Sequence, residues 1–153
     1  MKSRFNGISV IAGLWVAMAA LMGAQTAAAA SAPPLSEVKI LKVQSPACGY
    51  EDVADGRKQT QCNHGAGTIR VFVLEQGYGR NPTVALDGFV VNGTKTRVCG
   101  DGGNGLGECS GSAKIVGYLY VFDLVGKQEG TFTFRNTSIN APGNTMSAQI
   151  YIK

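Results

Sequence analysis

Apolar and polar residues alternate with a period of two along much of this chain, which is typical of β-strands with one buried face. In "GTFTFRN", Phe132 and Phe134 are expected to face a core, while Thr131 and Arg135 face away from it. The C-terminal "TMSAQIYIK" alternates in the same way. About seven such segments, separated by turn residues and without a long helical pattern, predict an all-β antiparallel sandwich. A small closed β-barrel is the alternative fold.

Three local features refine this prediction. The segment "TIRVFVLE" carries apolar residues on both faces, so its strand is expected to be buried on both sides. Gly117, inside a long strand, predicts a bulge or close packing. Asn92-Gly93 is the strongest hairpin signal because both residues tolerate the positive φ angles of a type I′ turn, and Asp87-Gly88 is a competing turn just before it.

The N-terminus has the three-part pattern of a secretory signal peptide. Lys2 and Arg4 precede an apolar run over residues 8–24, and small residues follow. We therefore expect residues 1–30 to be a signal peptide and residues 31–153 to form a single domain. The alternative is a membrane-anchoring helix, but the run is near the lower limit of about 17 residues for spanning.

Charge argues against a nucleic-acid partner. The whole chain carries 14 basic and 10 acidic residues, a net charge of +4. Loss of Lys2 and Arg4 with the signal peptide would leave +2, and the remaining basic residues are spread along the chain. Nucleic-acid binding requires a focused basic patch. We expect no nucleic acid, no cofactor and no membrane span after signal removal, in a secreted or periplasmic protein.

All four cysteines lie in the expected mature domain, and an even number in an exported chain implies disulfides. Four cysteines allow three pairings. We favour the local one, Cys48–Cys62 with Cys99–Cys109, because each pair flanks a polar, turn-rich segment. Each bridge would contribute about 3 kcal/mol by restricting the unfolded chain.

The glycine-rich stretch "CGDGGNGLGEC" is the first candidate site. No helix follows it, so it is not a phosphate-binding loop. Asp101, Asn104 and Glu108 supply oxygen ligands, but their spacing does not fit an EF-hand calcium site. We therefore expect no metal there, and interpret the stretch as a disulfide-closed loop that presents a binding surface.

His64 and three tyrosines are the other candidates. His64 is the only histidine, and it is a weak catalytic candidate because no activated serine motif accompanies it. Tyr50, Tyr78 and Tyr151 could stack on the flat faces of sugar rings. Tyr151 is phased outward on the last strand, and the other two lie in loop-like surroundings.

Several blocks resemble a known family. "APPLSEVKILKVQS", "GYE", "NHG", "GYG" and "GTFTFRNTSINAPGNTMS" resemble the small exported bacterial family typified by the Bacillus prophage protein YolA. This resemblance implies no assigned activity, so it supplies no catalytic residues. The last segment is also similar to the final hairpin of bacterial immunoglobulin-like domains, which implies an immunoglobulin-like sandwich.

These observations favour a secreted, non-catalytic binding protein that acts at the cell envelope or outside the cell. Its ligand would be a glycan or a protein recognised through loops. The alternative is a small secreted hydrolase that uses His64 with an acidic residue.

Overall fold

The computed structural model describes residues 32–65, 67–100 and 105–153, so the expected signal peptide lies outside the described residues. These ranges contain strands and no helix. The strands are β1 (Glu37–Ser45), β2 (Gly49–Asp52), β3 (Ile69–Gln76), β4 (Thr83–Leu86), β5 (Phe89–Val90), β6 (Gly93–Gly100), β7 (Leu106–Glu108), β8 (Ile115–Leu124), β9 (Gly130–Thr137) and β10 (Thr145–Ile152).

The strands form two antiparallel sheets. Sheet 1 has six strands in the order β2-β1-β3-β8-β6-β7, and sheet 2 has four in the order β10-β9-β4-β5. The predicted all-β antiparallel sandwich is confirmed. The alternative closed barrel is not formed, because the strands divide between two sheets. The strand number exceeds the predicted seven because β2, β5 and β7 are very short.

The core lies between the two sheets, and its centre is aromatic. Phe132 and Phe134 of sheet 2 are fully buried, as their alternation predicts. The Phe134 ring lies 5.2 Å from that of Tyr120, and the Phe132 ring lies 5.4 Å from that of Phe122. Tyr120 and Phe122 belong to β8 of sheet 1, so these contacts join the two sheets.

Gly117 allows β8 to approach β3 closely. A Cβ atom at Gly117 would lie 2.0 Å from the backbone oxygen of Glu75, a distance that no side chain can occupy. The pairing of β6 with β8 also shifts between Val98 and Cys99, which forms a bulge beside this glycine. Both alternatives that the sequence suggested for Gly117 therefore occur.

The hairpin prediction at Asn92-Gly93 is wrong, and the competing turn forms instead. Asp87 and Gly88 have φ angles of 47° and 83°, and they connect β4 to β5 with Leu86 opposite Phe89. Asn92 lies where the chain leaves sheet 2, and Gly93 begins β6 in sheet 1. The crossing requires a glycine because a Cβ atom at Gly93 would meet the Phe122 ring at 2.4 Å.

Both disulfides have the predicted local pairing. Cys48 is bonded to Cys62, and Cys99 is bonded to Cys109. The first bridge ties the end of β1 to the loop that precedes β3. The second closes the chain segment that contains β7.

Candidate functional site

A concave groove on the outer face of sheet 1 is the most developed candidate site. It encloses about 390 Å³, within the range of roughly 300–1,000 Å³ that small-ligand pockets occupy. Five strands line it, and its walls are mainly aliphatic. The apolar residues are Leu41, Leu74, Val98, Leu106 and Leu119, and the polar residues are Thr96, Arg97 and Glu108, of which Arg97 contributes its backbone between Thr96 and Val98. We call this site the concave groove.

Strand register brings the groove residues together. Leu74 pairs with Leu119, and Leu119 pairs with Thr96, so these side chains are neighbours across three strands. Their sequence neighbours Val73 and Tyr120 point into the core, which places the groove residues on the outer face. Leu41 joins them because the β1–β3 pairing is irregular between Ile40 and Lys42.

One wall of the groove comes from the glycine-rich segment. β7 pairs with β6, with Gly107 opposite Cys99 and Glu108 opposite Val98. Leu106 and Glu108 thus project on the same side of sheet 1 as Val98, and both line the groove. Of the three oxygen ligands weighed for calcium, Asp101 and Asn104 lie outside the described residues, so only Glu108 can be placed.

His64 lies at the centre of a buried polar cluster. Its Nδ1 atom is 2.9 Å from Ser45 Oγ, and its Nε2 atom is 3.2 Å from Glu51 Oε2. Because an ionised carboxylate only accepts hydrogen bonds, His64 Nε2 donates to Glu51, and Nδ1 shares a second hydrogen bond with the Ser45 hydroxyl. We call these three residues the Ser45–His64–Glu51 cluster.

This cluster contains the groups of a hydrolase triad, but its reactive atoms are enclosed. His64 is 0 % exposed and Ser45 is 2 % exposed. The Ser45 hydroxyl also accepts a hydrogen bond from the Cys48 N–H at 3.3 Å. A substrate carbonyl would reach this hydroxyl only if the loop before β3 opened, whereas the same contacts hold that loop in place as it stands.

Glu51 is an acceptor for several groups of that loop. It accepts hydrogen bonds from the N–H groups of Gln61 at 2.6 Å and Cys62 at 3.0 Å. Burial opposes ionisation of Glu51, but these N–H groups and His64 outweigh it, so the pKa of Glu51 lies below its ordinary value. Side-chain hydrogen bonds from Arg57 lower the pKa of its neighbour Asp55 to about 2.

We expect Glu51 to make the stability of the domain depend on acidity. Because its pKa is lower in the folded state, its contribution is present above pH 4.5 and is lost as the pH falls through the folded-state pKa. Melting temperatures of the parent and Glu51→Gln, measured from pH 7 to pH 3, test this. The parent should lose more stability on acidification than Glu51→Gln. Glu37→Gln, at an exposed carboxylate, is the control and should follow the parent, and equal slopes for all three proteins would contradict the prediction.

The three candidate tyrosines lie on different elements. Tyr50 is in β2, 64 % exposed, with its ring 5.9 Å from Phe72. Tyr78, between β3 and β4, packs edge-on against Tyr118. Tyr151 is in β10, 38 % exposed, with its hydroxyl 3.5 Å from Glu129 Oε2. They do not form one surface, so each has to be considered by itself.

A second buried polar cluster has a structural role that the sequence did not reveal. Glu75 is fully buried, and it accepts hydrogen bonds from Asn136 Nδ2 at 2.5 Å and from the Gly79 N–H at 3.2 Å. Burial, followed by the nearby Glu75 carboxylate, raises the pKa of Tyr120. The hydrogen bonds of Glu75 link β3 and β9 to the loop between β3 and β4.

The described part of the chain holds neither a metal-binding cluster nor a membrane-spanning helix. Within residues 32–65, 67–100 and 105–153, no three His, Cys, Asp or Glu side chains are grouped so as to hold a metal ion. Over the same ranges, no helix is long and apolar enough to span a membrane.

Comparison with known proteins identifies a family. Residues 28–152 match the family described as Domain of unknown function (DUF4879). The chain belongs to this family. No curated protein and no solved structure matches the chain significantly. Membership of DUF4879 therefore assigns no activity to the chain.

The groove residues were missed by the sequence analysis, although one signal pointed to them. The segment that became β3 has apolar residues on both faces, and Leu74 on the outer face was expected to be buried. Leu74 is 8 % exposed. It lies on the outer face of sheet 1 among the other groove residues, such as Leu41 and Leu119, and not beneath a third layer. Leu74 and Leu119 belong to two different strands, and both carry a large apolar side chain on the outer face. These two leucines were the signal in the sequence for a second apolar surface.

Proposed function

We propose that this DUF4879 protein is an exported, non-catalytic binding protein that acts at the cell envelope or outside the cell. It recognises a partner protein by accepting an apolar side chain of that partner in the concave groove. The observation that carries the proposal is the groove itself, an aliphatic depression whose wall belongs to a disulfide-closed loop. The two disulfides suit an oxidising, extracytoplasmic compartment.

The chemistry of the groove favours a protein ligand over a glycan. Its walls are leucine and valine side chains, which offer no hydrogen bonds to sugar hydroxyl groups. Glu108 borders these walls and supplies a negative charge for polar groups of the partner. An apolar centre with a polar rim is the usual composition of a protein-recognition site.

The β7 wall gives the groove a defined shape. Leu106 is 42 % exposed on β7, and the Cys99–Cys109 bridge closes the segment that carries it. A restrained loop loses little conformational entropy on binding, which favours affinity. The resemblances to the YolA family and to bacterial immunoglobulin-like domains are compatible with this proposal and stay predictions.

We expect Leu106→Lys to abolish partner binding while the domain stays folded. Lysine at this position would place a charge against the apolar walls, and the exposure of Leu106 keeps the folding cost small. The measurement is quantitative capture of partners from envelope material and culture fluid, with the exported protein as bait. Ile139→Lys is the matched control, because Ile139 is 48 % exposed and lies outside the groove. Equal losses for the two variants, or none for either, would contradict the proposal.

The Ser45–His64–Glu51 cluster keeps a second candidate function open to test. It supplies the groups of the hydrolase alternative, and its burial opposes that use. His64→Ala should be assayed beside the parent on ester, peptide and glycan substrates. Turnover by the parent that His64→Ala lacks would favour the hydrolase, and absence of turnover in both proteins would favour binding.

A further inference from the structure

We propose a second binding site, for a neutral or N-acetylated oligosaccharide, at the end of sheet 2 beside Tyr151. The site is a polar groove of about 540 Å³ lined by Asn63, Gly65, Gln128 and Glu129. We call it the amide groove. The Tyr151 hydroxyl lies 3.5 Å from Glu129 Oε2, which places the exposed tyrosine at its margin. Tyr151 projects from the outer face of sheet 2, whereas the concave groove lies on the outer face of sheet 1.

The lining of the amide groove selects a ligand that is rich in hydroxyl groups. Two side-chain amides supply both donors and acceptors, and the Glu129 carboxylate supplies acceptors. The described residues that line the groove are two amides, a carboxylate and a glycine, so an apolar peptide side chain would leave these polar groups without partners. A saccharide matches this lining because each sugar ring carries several hydroxyl groups.

Tyr151 supplies the complementary apolar surface. Sugar rings have a flat C–H face, and an exposed aromatic ring can pack against that face while its hydroxyl stays hydrated. Tyr151 is 38 % exposed and lies on a strand rather than on a free loop. Its backbone N–H donates to Lys58 O, and its carbonyl accepts from the Thr60 N–H, both at 2.9 Å.

The wall of the amide groove that contains Asn63 and Gly65 is also held by hydrogen bonds and by a disulfide. Asn63 follows the Cys48–Cys62 bridge directly, and its side-chain oxygen accepts a hydrogen bond from the Gly65 N–H at 2.9 Å. The next residue, His64, donates its backbone N–H to Lys153 O. A Cβ atom at Gly65 would lie 2.9 Å from Asn63 Oδ1 and 3.1 Å from Gln128 O, so glycine keeps this space open.

The charge at the site narrows the class of sugar. Glu129 is the charged residue among those that line the groove. Its carboxylate repels uronic acids and other anionic sugars, whereas neutral and N-acetylated sugars suffer no such repulsion. We therefore expect chitotetraose or cellotetraose to bind more tightly than tetragalacturonate.

Isothermal titration calorimetry of the purified exported protein with these three tetrasaccharides tests the proposal. We expect Tyr151→Ala to weaken binding of the preferred neutral tetrasaccharide by about tenfold or more, as loss of an aromatic anchor does. Gln128→Ala, in an exposed loop with little risk to folding, should also weaken it. Tyr50→Ala is the matched control and should bind as the parent does, because Tyr50 is an exposed aromatic residue on β2 of sheet 1.

Several results would overturn the proposal of a sugar-binding site. These are the absence of binding by any of the three sugars at millimolar concentration, tighter binding of tetragalacturonate, and equal losses in Tyr50→Ala and Tyr151→Ala. Leu106→Lys should bind the sugar normally, because it alters only the concave groove. The proposed sugar site and the proposed protein-binding groove can therefore be refuted independently of each other.

Discussion

Replacement of Phe134 by alanine is expected to lower the free energy of unfolding by about 3–5 kcal/mol. Phe134 is 0 % exposed and packs against Tyr120 and Phe122, with ring centres 5.2 Å and 6.1 Å away. It belongs to sheet 2 and they belong to sheet 1, so the substitution opens a cavity where the two sheets meet. Domains of this size are stable by only about 5–15 kcal/mol, so the loss is a large fraction of the total stability.

Urea denaturation followed by circular dichroism measures this effect. Phe89→Ala is the matched control, because Phe89 is 66 % exposed on β5 and should change the unfolding free energy by less than about 0.5 kcal/mol. Similar unfolding free energies for Phe134→Ala and Phe89→Ala would show that Phe134 is not at the centre of the core.

Removal of the Cys48–Cys62 bridge is expected to cost about 3 kcal/mol, because it releases a loop with a sequence separation of 14 residues in the unfolded chain. The loss should also have a local component. Residues 58–64 pair with the end of β10 through Thr60, Tyr151 and the backbone of His64. Without the bridge, this added edge of sheet 2 should open more often than the rest of the sheet.

The double variant Cys48→Ser/Cys62→Ser tests both components. Its unfolding midpoint reports the global loss, and amide hydrogen exchange over residues 58–64 reports local opening. The control is Cys99→Ser/Cys109→Ser, which should lower the midpoint by a similar amount without increasing exchange over residues 58–64. Unchanged exchange in both double variants would contradict a role of the Cys48–Cys62 bridge in holding that loop.

The sequence allowed prediction of those features that depend on local pattern. Alternation located the buried faces of β9 and β10, and turn-rich segments between cysteines indicated both disulfide pairings. Gly117 was identified because glycine inside a strand nearly always marks a bulge or a close approach. Each of these depends on a few consecutive residues, so a single sequence is enough.

Features that depend on contacts across the sheets could not be predicted in the same way. The choice of Asp87-Gly88 over Asn92-Gly93 depended on which segment entered the other sheet, since β6 pairs with β8 rather than with β5. The Ser45–His64–Glu51 cluster joins residues from β1, β2 and a loop, whose meeting is set by tertiary structure. The concave groove is lined by residues of five strands, whose order in the sheet no local pattern specifies.

Amide hydrogen exchange of the protein bound to its captured partner shows which surface the partner covers. Recognition through the concave groove predicts increased protection in β6 and β7, over residues 96–98 and 106–108. The outer face of sheet 2, including residues 147–151, should exchange at the same rate in the free and bound protein. Protection confined to sheet 2 or to the Ser45–His64–Glu51 cluster, with exchange unchanged in β6 and β7, would contradict recognition through the groove.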